Sequence, residues 1–173
     1  AAGTTVNSGA SLILDGGLAV DGESLTLSGA SSTGNGALRS INGLNSWSGN
    51  ITLGGTLVYF NAESGLEISG NILNNTTSLT VGRTSGTGTA NILLSGIISG
   101  TGALEKTGTN ELMLQGQNTY SGYTRVNGGT LNLGAANVIP DNIFTLNGGE
   151  LNTNGFDETL GTFNVVANSS IRL

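Results

Sequence analysis

The chain's charged groups are mostly carboxylates, and one set of them has the residue types of a calcium site. Asp15, Asp21 and Glu23 lie close together in a glycine-containing stretch, and carboxylate oxygens are ligands that calcium prefers. The segment 16–21, however, lacks the middle glycine of the calcium-binding nonapeptide G-G-x-G-x-D, and it does not recur in register. The spacing therefore favours ordinary surface carboxylates, and no metal or other cofactor is predicted.

A second set of carboxylates, Glu150, Asp157 and Glu158, has the residue types needed for glycoside hydrolysis. That reaction needs two carboxyl groups facing each other across the sugar bond. Adjacent residues of a strand point to opposite faces, so we expect Asp157 and Glu158 to point apart or to lie in a turn. Few basic residues are nearby to bind acidic sugars. No catalytic residue is predicted, and hydrolysis remains only an alternative.

The segment 100–107, G-T-G-A-L-E-K-T, nearly matches the phosphate-binding pattern G-x-x-x-x-G-K-[ST]. Glu105 stands where the pattern has its second glycine, which places a carboxylate where a phosphate would sit. The glycine-rich sequence that follows cannot form the helix whose N-terminus would bind the phosphate. We therefore expect Lys106 to be a solvated or turn-pairing residue.

Three aromatic residues, Trp47, Tyr120 and Tyr123, could form an exposed platform on which a sugar ring stacks. The simpler alternative is that Trp47 and Tyr120, which both precede a Ser-Gly pair, pack over a corner of the fold. The sequence favours this alternative, and the glycan contact is kept as a weaker hypothesis.

Composition removes most other kinds of chemistry. The chain has no His and no Cys, which excludes an imidazole base, a thiol nucleophile, Cys/His zinc sites and disulfides. Five Lys and Arg against eleven Asp and Glu give a net charge of −6, so no basic surface for nucleic acid is expected. There is no apolar run of membrane-spanning length, so we expect no membrane insertion of this segment.

The elements that must position these residues are short β-strands. Thirty glycines are spread through the 173 residues, and each costs a helix about 1 kcal/mol relative to alanine, so stable helices are not expected. Apolar residues instead alternate with polar ones in short bursts, which is typical of strands with one buried face. The bursts are Leu12 and Leu14, Leu25 and Leu27, Leu66 and Ile68, Leu79 and Val81, Leu112 and Leu114, Leu131 and Leu133, and Phe163 and Val165.

Internal repetition indicates that these strands stack as coils of a solenoid. The apolar pattern of residues 66–72 recurs at 92–98, an offset of 26, and the pattern of 43–49 recurs at 116–122, an offset of 73. A Gly-Gly-Thr-Leu sequence follows each copy of the second pattern and returns in altered form at 148–151. A coil of about 24 residues accommodates both offsets as one and three coils. We therefore predict an all-β parallel β-helix of about seven coils over 1–173, forming part of a longer chain.

The end of the sequence still alternates as an interior strand would. Ile171 and Leu173 are expected to face the core, and Arg172 is expected to face solvent. A rod that ends in this way exposes strand edges, so association end to end is also expected.

Residues 99–133 carry the most specific motif, SGTGALEKTGTNELMLQGQNTYSGYTRVNGGTLNL. This segment resembles the passenger-associated transport repeat, also called the autotransporter-associated β-strand repeat, of bacterial type V secretion. It departs from the family at Asn110, where a second glycine is usual; asparagine tolerates the same left-handed backbone. The matching residues are Gly100, Gly102, Leu104, Lys106, Gly108, Leu112, Leu114, Gly116, Asn118, Tyr120, Gly122, Thr124, Val126, Asn127, Gly129 and Leu131.

The resemblance implies a right-handed β-helix in the passenger of a bacterial protein that is exported across the outer membrane to the cell surface or the medium. It implies a non-enzymatic stalk or adhesion segment that aids passenger folding and export. The partners expected are the neighbouring β-helix of the parent chain, further copies joined end to end, or a cell-surface glycan or protein receptor. The alternative is a β-helical, polysaccharide-active enzyme similar to pectin lyases.

Overall fold

Short β-strands joined by tight turns make up the structure, a computed structural model that describes residues 3–29, 36–82 and 90–173. The described residues form 21 strands and no helix. The strands are β1 (Thr4–Val6), β2 (Leu12–Asp15), β3 (Ala19–Val20), β4 (Leu25–Ser28), β5 (Leu38–Ile41), β6 (Asn45–Trp47), β7 (Ile51–Gly54), β8 (Leu57–Ala62), β9 (Leu66–Ile68), β10 (Ile72–Leu73), β11 (Ser78–Val81), β12 (Ile92–Leu94), β13 (Ile98–Ser99), β14 (Leu104–Lys106), β15 (Glu111–Leu114), β16 (Thr124–Val126), β17 (Thr130–Leu133), β18 (Phe144–Asn147), β19 (Glu150–Asn152), β20 (Phe163–Ala167) and β21 (Ser170–Arg172).

The strands stack in three sheets, and all the pairings between described strands are parallel. The first sheet has the order β1-β4-β7-β10-β13, the second β2-β5-β8-β11-β14-β16-β18-β20, and the third β3-β6-β9-β12-β15-β17-β19-β21. Eight strands in the second sheet are separated by seven steps. The chain is therefore a parallel β-solenoid of about seven turns, which confirms the predicted fold class.

The coils differ in length. Leu25 pairs with Ile51, and Ile51 pairs in turn with Ile72, so the second of these steps is shorter than the first. Within the repeat, Leu104 pairs with Thr124, which is a shorter step again. The corners hold different numbers of residues while the strands stay in register, so the uniform coil length predicted from the sequence does not hold.

The offset of 26 predicted from the apolar pattern is a true coil-to-coil register. The three residue pairs predicted at this offset lie directly above one another, two where β9 pairs with β12 and one where β10 pairs with β13. These pairs are Leu66 with Ile92, Ile68 with Leu94, and Ile72 with Ile98.

The offset of 73, by contrast, does not relate equivalent positions. Trp47 pairs with Ile68, and that column continues through Leu94 to Leu114, so Leu114 is the equivalent of Trp47 in the later coil. Tyr120 follows β15 and lies over the first sheet instead, because the flanking backbone N–H groups bond to carbonyls of β13 and the residue after it. The predicted equivalence of Trp47 and Tyr120 is therefore wrong, because Trp47 is a strand residue of the third sheet whereas Tyr120 lies over the first sheet.

Alternation along each strand builds the core. In β4, Leu25 and Leu27 are buried while Thr26 and Ser28 are half-buried on the outer face. Full burial of one leucine side chain contributes roughly 1.5–3 kcal/mol. Because the inward residues of consecutive strands stack in columns, one apolar cluster runs along the solenoid axis from Val6 to Leu151.

One column of glycines lets neighbouring coils approach closely at a corner. Gly49, Gly70, Gly96 and Gly116 stack in order after the strands of the third sheet. At Gly70, Gly96 and Gly116, an added Cβ would overlap the carbonyl oxygen of the glycine one coil before. Glycine is needed here because the coil spacing leaves no room for a side chain.

The last rung, formed by β20 and β21, is the most exposed part of the stack. Phe163 stacks against the buried Phe144 at a centroid distance of 5.7 Å, yet remains 40% exposed, and Val165 is 59% exposed. Arg172 faces outward, as predicted, and its guanidinium lies 3.2 Å from the carboxylate of Glu150. Leu173, which was predicted to face the core, is 91% exposed because it lies beyond β21.

Candidate functional site

The repeat places Lys106 inside the solenoid rather than in solvent. Leu104 and Lys106 are the first and third residues of β14, so both point inward, and Lys106 is 1% exposed. Its Nζ donates hydrogen bonds to Asn110 Oδ1 at 2.9 Å and to the carbonyl oxygens of Thr107, Gly108 and Gly128. These acceptors belong to the turns of two successive coils, so the ammonium group ties the coils together.

This geometry decides between the predictions made for Lys106. The turn-pairing role is observed and the solvated one is wrong, because the alternation of β14 directs the side chain into the core. Burial lowers the pKa of Lys106 to about 8. With Nζ buried among turn oxygens and no helix in the described residues, the segment 100–107 has no phosphate-binding geometry.

The turn around Asn110 also differs from expectation. Asn110 is not among the described residues with a left-handed backbone, whereas Gly108 has φ +69°. The Asn110 side chain accepts from Lys106 and donates to the carbonyl of Ala90, 3.1 Å away in the preceding coil. Asparagine therefore serves this turn through its side chain rather than through its backbone.

Asn118 and Tyr120 form a second buried polar group within the repeat. Asn118 Oδ1 accepts from the backbone N–H of Ile98 at 2.7 Å, and its Nδ2 donates to the carbonyl of Val138 at 2.7 Å. One side chain thus joins three coils. The hydroxyl of Tyr120 shares a 2.6 Å hydrogen bond with Thr124 Oγ1, and burial raises the pKa of Tyr120.

The remaining motif residues serve the stacking of coils. Val126 and the leucines of the motif are buried in the core. At Gly102 and Gly122 a Cβ would overlap the carbonyl of the coil before, and Gly129 has φ +63°. Gly100 also has a positive φ, of +117°, beside the Asn75 backbone. Each of these positions therefore has a packing or backbone reason for its residue type.

On the outer face of the second sheet, the repeat forms a polar cluster around Glu105. Tyr123 Oη donates to one carboxylate oxygen of Glu105, and Asn127 Nδ2 donates to the other at 3.2 Å. The hydrogen bond to Glu105 raises the pKa of Tyr123. The Arg125 guanidinium lies 4.9 Å from the centre of the Tyr123 ring, within cation–π range.

Sequence reasoning missed this cluster, although the repeat carries a signal for it. Glu105 pairs with Arg125, one coil further along the repeat. Asn127 and Asn147 are separated by the same step, and their side chains are joined by a 2.9 Å hydrogen bond. A coil of this length, had it been recognised, would have placed these side chains on one face.

The proposed aromatic platform is not present as a unit. Trp47 is 3% exposed and Tyr120 is 1% exposed, because both point into the core. Neither ring can offer a face to a sugar, so that part of the glycan hypothesis is wrong. Tyr123 alone of the three lies on the surface, where it is half-buried.

Each of the three carboxylates near the start of the chain accepts a hydrogen bond from a different side chain. Asp15 accepts from Asn42 Nδ2 at 2.8 Å, while Asp21 accepts from a serine hydroxyl and Glu23 from a threonine hydroxyl. In the described part of the chain, no group of three or more acidic residues is placed to hold a metal ion. The three carboxylates thus stabilise contacts between coils.

The carboxylates considered for hydrolysis are also in separate contacts. Glu150 binds Arg172 on the outer face of the third sheet. Glu158 accepts from the backbone N–H groups of Val138 at 2.9 Å and Ile139 at 3.4 Å, and burial raises its pKa. Asp157 is exposed. Glu158 therefore caps a turn of the coil before it.

Comparison with known protein families identifies the repeat directly. The family model described as passenger-associated-transport-repeat matches residues 104–133, which extend from β14 to β17. This confirms the resemblance found in the motif. The fold and this match together define a parallel β-solenoid that carries an autotransporter passenger repeat.

A curated relative adds a second comparison. The chain is 38% identical over 72 residues to the adhesin BmaC autotransporter of Brucella suis biovar 1 (strain 1330). The aligned region is 40% of this chain but 2% of the relative, so the chain spans only a small part of that protein's length. No solved structure matches the chain. In the described residues, no helix is long and apolar enough to cross a bilayer.

Proposed function

We propose that this chain is a non-enzymatic stalk and adhesion segment in the passenger of a bacterial autotransporter, exported to the cell surface. The observation that carries the proposal is the passenger repeat at 104–133, which lies in two consecutive short coils of the solenoid. The similarity to an adhesin autotransporter supports the same role. Seven steps at about 4.8 Å give a rod roughly 34 Å long.

Within this role, the repeat acts as a template for coil stacking during export. Lys106 bonds to the coil after its own and Asn118 bonds to the coils on both sides, so a coil of the repeat is held by polar contacts as well as by its apolar core. In a solenoid each coil contacts only its neighbours, so a well-formed coil nucleates the next one. We propose that the repeat aids folding outside the cell in this way.

Removal of one coil tests the role of the repeat. The chain is fused to a secretion signal and an outer-membrane barrel, and surface exposure is measured by protease accessibility on intact cells. Because Leu104 pairs with Thr124, deletion of residues 104–123 removes one coil and keeps the register. We expect this deletion to reduce the amount of folded chain at the surface.

The matched control removes a coil outside the repeat. Val58 pairs with Leu79, so deletion of residues 58–78 also removes one coil and keeps the register. This variant should reach the surface and fold in amounts close to those of the intact chain. Equal surface display of both deletions would contradict the special role of the repeat, and failure of the intact fusion to reach the surface would contradict the export proposal.

A further inference from the structure

A groove of about 910 Å³ runs along the outer face of the second sheet. Its described lining residues belong to five successive strands, β8, β11, β14, β16 and β18, or to the turns that flank them. Four steps at about 4.8 Å make it roughly 19 Å long. A groove of this length, parallel to the solenoid axis, fits an extended chain molecule better than a compact one.

The lining has the chemistry that recognises sugar hydroxyls. Half-buried Tyr59 lies on β8, buried Thr80 on β11 and Glu105 on β14. Asn127 directly follows β16, and Asn147 ends β18. Hydroxyl and amide groups donate to and accept from vicinal hydroxyls, and a carboxylate accepts from them. A tyrosine ring packs against the apolar face of a pyranose. Leu57 is the one large aliphatic side chain among the described lining residues.

Glu105 retains hydrogen-bonding capacity after its contacts within the protein are counted. Tyr123 and Asn127 each donate one hydrogen bond, to different oxygens of the carboxylate. An ionised carboxylate accepts about four hydrogen bonds, so about two acceptor positions remain for ligand hydroxyls. The two protein donors also fix the carboxylate, so little side-chain freedom is lost when a ligand binds.

Charge determines which saccharides fit. Glu105 is the one charged side chain among the described lining residues, and Lys106, although close in sequence, points into the core. An acidic saccharide would meet a carboxylate without a compensating cation in the lining, because Arg125, which pairs with Glu105, lies against the Tyr123 ring outside the lining. A neutral saccharide meets only hydrogen-bonding groups and an aromatic ring.

From this geometry we infer that the groove is a binding site for a neutral, linear oligosaccharide, held by Glu105, Asn127 and Tyr59. The inference deepens the proposed adhesion role by naming the class of ligand. It rests on that role because the ligand would be encountered at the cell surface. No covalent step is involved. The carboxylate acts as a fixed hydrogen-bond acceptor.

The test is calorimetric titration of the purified chain with cellotetraose and chitotetraose as neutral probes and tetragalacturonate as the acidic probe. We expect at least one neutral probe to bind and the acidic probe to bind more weakly. Glu105→Gln should weaken the neutral binding about tenfold, because hydrogen bonds to a charged acceptor are lost. Tyr59→Ala, which does not touch the Glu105 contacts, should weaken it about fivefold through loss of ring packing.

The matched control is Glu111→Gln. Glu111 is also a strand carboxylate that accepts hydrogen bonds from asparagine side chains, those of Asn91 and Asn132, but it lies on the third sheet. This variant should bind the neutral probes as the unmodified chain does, and circular dichroism checks that all variants are folded.

Three results would overturn the inference: no binding of either neutral probe, tighter binding of the acidic probe, or equal losses in Glu105→Gln and Glu111→Gln. Because binding is measured on the purified chain, a negative result would contradict only the binding site. The export proposal is tested separately by the fusion experiment. Conversely, if the purified chain binds the probe but its fusion is not displayed on the surface, the binding site would be supported and the surface role contradicted.

Discussion

At the scale of single residues, the repeat places polar side chains inside the solenoid and pairs each with atoms of a neighbouring coil. Lys106 is the clearest case, because its ammonium is buried among turn oxygens. A buried polar group is costly without partners, so these contacts make the turn conformation and the side chain depend on one another. The same holds for Asn118, whose amide bonds to backbone atoms of the coils on either side.

The pH dependence of stability tests the burial of Lys106. Its folded-state pKa of about 8 lies below the ordinary value of 10.5. Between these pH values the unfolded chain binds the proton more fully than the folded chain, so the free energy of unfolding should rise with pH. Urea denaturation from pH 7.5 to about 10.5 should show this rise in the unmodified chain relative to Lys106→Met.

The Lys106→Met variant has no titrating group at this position and corrects for all other groups that titrate in both chains. A fall in relative stability over the same range would contradict the expectation. It would mean that the surrounding oxygens hold the ammonium form more strongly than burial disfavours it.

The two tyrosines of the repeat provide a second residue-scale test. Tyr120→Phe leaves the buried Thr124 hydroxyl without its observed partner and should cost about 1–3 kcal/mol. Tyr123→Phe removes a hydroxyl from the half-buried surface and should cost about 0.5 kcal/mol or less. Chemical denaturation of both variants measures the difference. Equal costs would contradict the assignment of Tyr120 as the interior member of the pair.

At the scale of strands, alternation decides which residues carry the stability. In β12, Leu94 is buried in the core column while its neighbour Leu93 is half-buried on the outer face. Leu94→Ala should therefore reduce the free energy of unfolding by about 2–5 kcal/mol. Leu93→Ala, the matched control on the same strand, should reduce it by about 1 kcal/mol or less. Similar losses would contradict the assigned faces.

The strands and one register could be predicted from the sequence because local alternation encodes them. The offset of 26 relates residues that pair in the structure, because both copies keep their apolar residues in strand positions. The offset of 73 fails because its asparagine, aromatic, serine and glycine residues suit more than one kind of corner, so Trp47 and Tyr120 occupy different columns. Corner lengths are set by contacts between coils, which short-range patterns do not contain.

The candidate site was less predictable for a related reason. Alternation with Leu104 already places Lys106 on the inward face, but a charged residue is normally expected outside, and only the turn oxygens around it make burial possible. The Glu105 cluster and its groove depend on the short coil step within the repeat and on strands far apart in sequence. An interpretation based on a longer, uniform coil could not bring them together.

At the scale of the whole molecule, the solenoid is a rod whose last rung exposes both apolar side chains and strand edges. Val165 and Ile171 are 59% and 46% exposed, and Ile171 lies directly over the buried Leu151. Strand edges of this kind offer unpaired backbone groups to another chain, and exposed apolar residues add a driving force for contact. The rung thus has the features of a surface on which a further coil would stack.

We therefore predict that the purified chain associates end to end in a concentration-dependent way. Light scattering and sedimentation over a dilution series should show dimers or longer assemblies at high concentration. Val165→Lys combined with Ile171→Lys should abolish them, because two charges would be buried in the contact.

The matched control is Leu44→Lys, at a 65% exposed leucine in a turn away from the last rung, and this variant should associate as the unmodified chain does. A particle that stays monomeric throughout, or association lost equally in the Leu44 control, would contradict stacking through the last rung. Retention of association in the double variant would place the contact elsewhere on the rod.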